Sequence, residues 1–315
     1  MTIVAWLLAA APLAAQDWTA PRTPWGDPDL QGTYTNNDES GIPMERPADL
    51  ADADEVSPEE FARIVRDRAK NFEEFAPAIG GAETGAGPAH WYENYNAQNS
   101  RLWLVTDPPD GHIPSQTDEG LRRAAAYQAT RPLRDVPNSW TDMTLYDRCL
   151  TRGVVGSMLP VIYGNSYQIV QTPGYVALRY EMVHETRIIP LDGRGHLSPD
   201  IRGYMGDARG HWDGDTLVVE ATNFNGRTSI SVNGGGVPHS DRLRLVERFT
   251  AVGPDTVEWR VTIDDPGTWT RPWTFAMNLT RDPSQQIFEY ACHEGNYGLR
   301  DILSAARVQE PAAAR

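Results

Sequence analysis

The residues best equipped for chemistry fall in two short clusters. In Tyr180-Glu181-Met182-Val183-His184-Glu185-Thr186-Arg187, carboxylates, an imidazole and a guanidinium crowd together. Read as an uninterrupted strand, Glu181 and Glu185 share a face with Arg179 and Arg187, while His184 shares the other with Tyr180 and Met182. An imidazole beside a carboxylate can move a proton as general acid or base. The same residues also suit a charge-paired outer face opposite a satisfied histidine. The second cluster, Cys292-His293-Glu294-Gly295-Asn296-Tyr297, lies where a last strand gives way to a final helix. Loops at the end of a sheet often line ligand sites. There His293 and Glu294 are candidates for acid–base work and Tyr297 for ligand contact, although Glu294 and Asn296 would equally serve as helix caps.

A third segment, Gly206 to Asp215, alternates His211, Asp213 and Asp215. Calcium asks for more oxygen ligands than it offers, and Asp213-Gly214 is hairpin-turn chemistry. Asp207 and Arg209, just before it, suit the rim of a polar pocket. His184, His293 and one glutamate would make a three-ligand zinc set, but nothing in their spacing brings them together, so neither a metal nor a cofactor is expected. There is no HExxH, GxSxG, Walker or GxGxxG pattern, which weakens metalloprotease, serine-hydrolase, P-loop and hydride-transfer readings. Lys70 is the one lysine beside 27 arginines, which nearly removes lysine chemistry. Trp91, Tyr92 and Tyr95, beside His90, would stack on a flat ligand or simply pack.

These residues need elements to hold them. Ser57-Pro58-Glu59-Glu60 is a capping box with proline at the first helical position, and apolar residues then recur at helical spacing to about Phe75. Thr117 to Ala129 reads as a second helix and Tyr297 to Arg307 as a third, with Leu299, Ile302 and Leu303 inside. From Ser166 the period becomes two. Strands are expected at Tyr167–Gln171, Tyr175–Met182, His184–Pro190, Arg209–Asp213, Asp215–Asn223, Arg242–Thr250, Thr256–Asp264, around Trp273–Leu279 and at Ile287–Cys292. In Thr256–Asp264, Val257, Trp259, Val261 and Ile263 alternate with Glu258, Arg260, Thr262 and Asp264. Short connections between successive strands require antiparallel pairing, and a meander this long closes to remove its edges. The fold class is therefore mainly β: an antiparallel meander closing into a lipocalin-like barrel, with N-terminal helices and loops and a short C-terminal helix. One composite domain is expected over 16–315, with an irregular and helical layer at 16–165, the barrel at 166–296 and the helix and tail at 297–315.

The chain has 315 residues and a net charge of -15, which argues against nucleic acid as a partner. Residues 1–15 carry no charge and run from an apolar stretch into small residues, so they read as a signal peptide cleaved after Ala15, even without a basic start. No later apolar run is long enough to span a bilayer; a periplasmic or secreted protein without membrane insertion is expected. In that compartment the two cysteines, Cys149 and Cys292, favour a disulfide over two buried thiols.

Several blocks resemble a large family of exported bacterial hypothetical proteins. They are Gly41 to Pro47 (GIPMERP), Gln168 to Gly174, Glu181 to His196, Gly206 to Phe224 with its WDGDTLVVE core, Leu243 to Phe249, Asp264 to Trp273 (DDPGTWTRPW), and Phe288 to Leu303 with its YACHEGNYGL core. The resemblance covers most of the mature chain. It implies export and one mainly β domain, and it carries no activity. From the residues themselves the leading expectation is a small-molecule binder with a barrel pocket. The alternatives are a His/Glu acid–base lyase, isomerase or hydrolase, and a non-catalytic envelope scaffold. Whether the protein is an enzyme is left open.

Overall fold

The computed structural model describes residues 18–50, 56–79, 93, 98–129, 137–231 and 236–309. The signal segment and the His90–Tyr95 aromatics lie outside these residues. In chain order the strands begin with β1 (Gly32–Thr35), then β2 (Val105–Asp107), β3 (Ser166–Thr172), β4 (Tyr175–Tyr180) and β5 (Thr186–Pro190). Next come β6 (Asp207–Asp213), β7 (Thr216–Thr222), β8 (Ser229–Ile230) and β9 (Val237–Pro238). β10 (Arg244–Gly253), β11 (Thr256–Asp264) and β12 (Trp273–Arg281) complete the set. The helices are α1 (Pro58–Ile79), α2 (Asp118–Ala129), α3 (Gly153–Gly156) and α4 (Tyr297–Gln309).

Nine strands form a nearly closed antiparallel barrel in the order β5-β4-β3-β1-β12-β11-β10-β7-β6, and β2 adds to β12 outside that path. Two hairpin meanders make most of it. They meet through β1, which pairs Tyr34 with Tyr167 on one side and with Arg281 on the other. The N-terminal layer thus supplies a barrel strand as well as cover. On the remaining side β5 approaches β6 at Gly210. A Cβ there would lie 2.7 Å from Leu191 Cδ2 and 2.8 Å from Ile189 Cγ2, so a larger residue would force these side chains to shift where the two edges come together.

Period two sets the interior. Val257, Trp259, Val261 and Ile263 of β11 face inward with Trp273, Phe275, Met277 and Leu279 of β12, in matched register and almost fully buried. Leu245 and Phe249 of β10, Leu217 and Val219 of β7, and Val176 and Leu178 of β4 extend the same core. Ring pairs such as Trp259–Phe275, with centroids 5.4 Å apart and edge to face, add geometric preference to apolar burial. Outside, Ala276 of β12 is also buried, and its N–H donates to the carbonyl of Leu104 at 3.0 Å.

Two expected strands come out differently. Tyr175–Pro190 is broken at 181–185 by a tight turn whose residues Val183 and His184 are left-handed, with φ of 59° and 46°. The turn resets strand parity, so Arg187 points inward with Tyr180 and not outward with Arg179. Residues 287–292 form no strand, because both edges of β12 are already taken by β1 and β11. The segment is instead tied across the barrel end: Arg179 Nη2 donates to the carbonyl of Ile287 at 3.2 Å, and His184 Nδ1 to that of Tyr290 at 2.7 Å. Among the described residues, no helix is long and apolar enough to cross a membrane.

Candidate functional site

Cys149 and Cys292 are joined by a disulfide with Cα atoms 5.7 Å apart. It clamps the segment before α3 to the segment before α4. Asn296 strengthens the clamp: its Nδ2 donates to the carbonyl of Asp147 at 2.7 Å while its Oδ1 accepts the N–H of Leu299, capping α4. Arg307, near the end of α4, donates to the carbonyls of Pro137 and Asn138. Between the two clamped segments lies a cleft of about 460 Å³. Met143, Leu299 and Ile302 give it apolar walls, Asp147 and Glu289 acidic ones, and Tyr146 and Tyr290 two phenols. Ile302, expected inside the helix packing, is 44% exposed and turned to this cleft, whereas Ala306 is buried.

The phenols belong to a cluster. Tyr290 and Tyr163 share a hydroxyl–hydroxyl contact at 3.2 Å, and Tyr146 hydrogen-bonds with both. Burial pushes Tyr146 and Tyr290 well above the ordinary phenol range, their mutual contacts and Tyr163 add to the rise in Tyr146, and the charge of Arg152 opposes it. They therefore act as neutral donors and acceptors. The Arg152 guanidinium stands 5.6 Å from the Tyr146 ring centre, and the side chain is 1% exposed. None of its three nitrogens has a hydrogen-bond partner among the described residues. Burial works against its charge, and the groups that favour it are the hydroxyls of Tyr167, Tyr146, Tyr163 and Tyr290.

Two carboxylates lie in the turn next to this cluster. Glu185 accepts the hydroxyl of Thr151 at 2.7 Å and the backbone N–H of Arg152. Glu181 accepts the N–H of Ser166 at 3.2 Å. Burial raises both above the ordinary glutamate value, and the charge of Glu93 raises Glu181 further.

No family model matches the chain. No curated protein matches it. One solved structure is similar: a secretary abundant heat soluble protein from Ramazzottius varieornatus, at 13% identity over 44% of this chain and 87% of that one, with a TM-score of 0.25. A likeness that low carries no argument about this chain.

The other anticipated residues are distributed around this cleft and away from it. His184, His293 and Glu294 are exposed, and none of the three lines the cleft. Tyr297 is 65% exposed and stacks on Arg300. Tyr180 and Arg187 lie inside the barrel. There the Arg187 fork reaches Glu247 through two N–H groups at 3.0 and 2.6 Å and the Tyr180 hydroxyl at 3.2 Å, and Trp259 Nε1 donates to the same carboxylate. Burial opposes the Arg187 charge, and Glu247 with Tyr180 more than offsets it, leaving the guanidinium raised. Asp207 and Arg209 pair with each other at 2.6 Å on the outer face of β6. Asp207 also takes the N–H of Leu197, and His196 bridges Asp207 and Glu220 at 3.0 and 3.3 Å. This network pins the loop at 195–197 and is not part of the cleft. Among the described residues no group of three or more His, Cys, Asp or Glu is placed to hold a metal ion.

Sequence reasoning missed Glu247, Arg152 and the tyrosine cluster. Glu247 had a signal: it shares strand parity with Leu245 and Phe249, so period two places it inside. Arg152 also had one, as a lone charge beside the apolar stretch Val154 to Leu159. Tyr146, Tyr163 and Tyr290 are far apart in the chain, and nothing in their spacing announces that they meet.

Proposed function

We propose that this is an exported protein that binds a small organic molecule in the disulfide-walled cleft at the end of the barrel. The observation that carries the reading is the cleft itself: apolar walls around a fixed set of neutral hydroxyls, held by a covalent clamp between distant segments. Such a mixture of apolar lining and few convergent polar groups is what small-molecule sites offer. The inward barrel positions carry large, fully buried side chains such as Trp259, Phe249 and Phe275, which favours the cleft over the barrel interior. Export is supported by the character of residues 1–15 and by the disulfide. Exposure of His184 and His293 to solvent speaks against an acid–base pair built on them, so binding is preferred over catalysis.

Native mass spectrometry of the protein purified from its own host tests this. A co-purifying small molecule that is lost in an Ile302→Arg variant, whose side chain would enter the cleft, is expected. Retention of the molecule by that variant would sink the cleft as the site.

A further inference from the structure

Arg152 carries a consequence for what the cleft would select. A guanidinium cannot shed its proton in a protein, so its charge persists in the interior. Burying such a charge costs several kcal/mol unless it is paired and hydrogen-bonded. The usual remedy is a carboxylate gripped by the fork, as Glu247 grips Arg187. Here the two nearby carboxylates are otherwise occupied: Glu185 by Thr151 and a backbone N–H, Glu181 by Ser166. A cation–π contact with Tyr146 offsets only part of the cost. Five donor hydrogens therefore wait on Nε, Nη1 and Nη2, unclaimed among the described residues. Tyr146 and Tyr290, which feel this charge, are among the residues that line the cleft, and Arg152 stands behind them without lining it.

We propose that Arg152 is the anion-recognition element of the cleft, and that the ligand is a small monocarboxylic acid whose carboxylate enters among the Tyr146, Tyr163 and Tyr290 hydroxyls towards the unpartnered guanidinium. This rests on the cleft reading above and names its ligand class. The carboxylate would receive the phenol O–H bonds and feel the attraction of the guanidinium behind them, while the apolar body of the acid lies against Met143, Leu299 and Ile302. Asp147 and Glu289 on the same walls disfavour a second negative charge, which separates a monocarboxylate from a phosphate or a diacid.

The test is calorimetric titration of the full mature chain with benzoate and hexanoate, beside benzamide, hexanamide and inorganic phosphate. Each acid is expected to bind at least tenfold more tightly than its amide, and phosphate more weakly than either acid. Arg152→Met should erase the acid-over-amide preference, chiefly by weakening the acids. Tyr290→Phe, which keeps the ring, should weaken the acids several-fold and the amides less, because a phenol O–H bond to a charged oxygen is the stronger one; it decides the matter should Arg152→Met fail to fold. If acids and amides bind wild type equally, or if the preference survives in Arg152→Met, the anion role is overturned while the cleft reading stands. Phosphate binding more tightly than both acids also overturns it, in favour of an inorganic ion. If neither acids nor amides bind, or if binding persists in Ile302→Arg, the cleft reading falls and takes this inference with it.

Discussion

Two arginines, Arg187 and Arg152, are buried to nearly the same degree, and the molecule treats them in opposite ways. Arg187 lies in the barrel with its fork closed on Glu247, Tyr180 alongside and Trp259 completing the carboxylate's bonds. Arg152 lies behind the tyrosines with its nitrogens unclaimed among the described residues. Burial works against both charges, but among the described residues only one is compensated. The difference separates a charge that belongs to the fold from a charge that awaits something else, and it does so without reference to any motif.

The comparison is broken most forcefully at Glu247. Glu247→Ala should cost about 3–5 kcal/mol in a urea melt, because it strands Arg187 in the barrel. The double variant Arg187→Met with Glu247→Leu should cost much less, since both partners leave together. Near-equal losses in the two would mean that packing, and not pairing, governs that interior. Next in size is the clamp. Cys149→Ser with Cys292→Ser should cost about 2–5 kcal/mol and open the segment at 286–296 to limited proteolysis; an unchanged cleavage pattern would show that α4 holds without it. Arg152→Met should behave unlike any change at Arg187. The unliganded variant is expected to keep its stability or to gain about 1 kcal/mol, because an uncompensated charge has gone. A loss of several kcal/mol would place Arg152 in the same class as Arg187.

The smallest effect concerns pH. Burial raises Glu185 above its ordinary value of 4.5. The folded protein then holds more protons than the unfolded chain between 4.5 and the raised value, so stability declines as pH rises through that window. Glu185→Gln can still accept from Thr151 but does not ionise. Its melting temperature, followed from pH 4 to 7, should decline less steeply than that of wild type. Parallel curves would mean that the carboxylate is better compensated than its burial implies.

Much of the barrel was legible because alternation survives in each strand separately. Val257 to Ile263 and the Asp213-Gly214 hairpin needed no tertiary information. What could not be read was the turn at 181–185, where two left-handed residues reverse a parity that period two would otherwise carry straight through to Arg187. The disulfide was accessible from compartment and count. The tyrosine cluster was not, since Tyr146, Tyr163 and Tyr290 are brought together by tertiary contacts, among them that clamp and the tie from His184 to the Tyr290 carbonyl. Asn296 was legible in its humbler role, as the cap of α4. Residues rich in chemical promise, such as His293 and Glu294, proved exposed, while the electrostatically unusual residue was an arginine in an unremarked loop.

The insertion of β1 between β3 and β12 bears on how the chain assembles. Tyr34 must wait for Arg281, 247 residues later in the chain, so the barrel closes only after β12 has been made. A chain beginning after residue 36 would present a slot one strand wide between Tyr167 and Arg281, with backbone donors and acceptors exposed on both sides. An extended peptide of sequence Gly32 to Thr35 would find pairing partners on both sides of that slot. Its own N-terminal segment is, in this sense, a built-in donor strand.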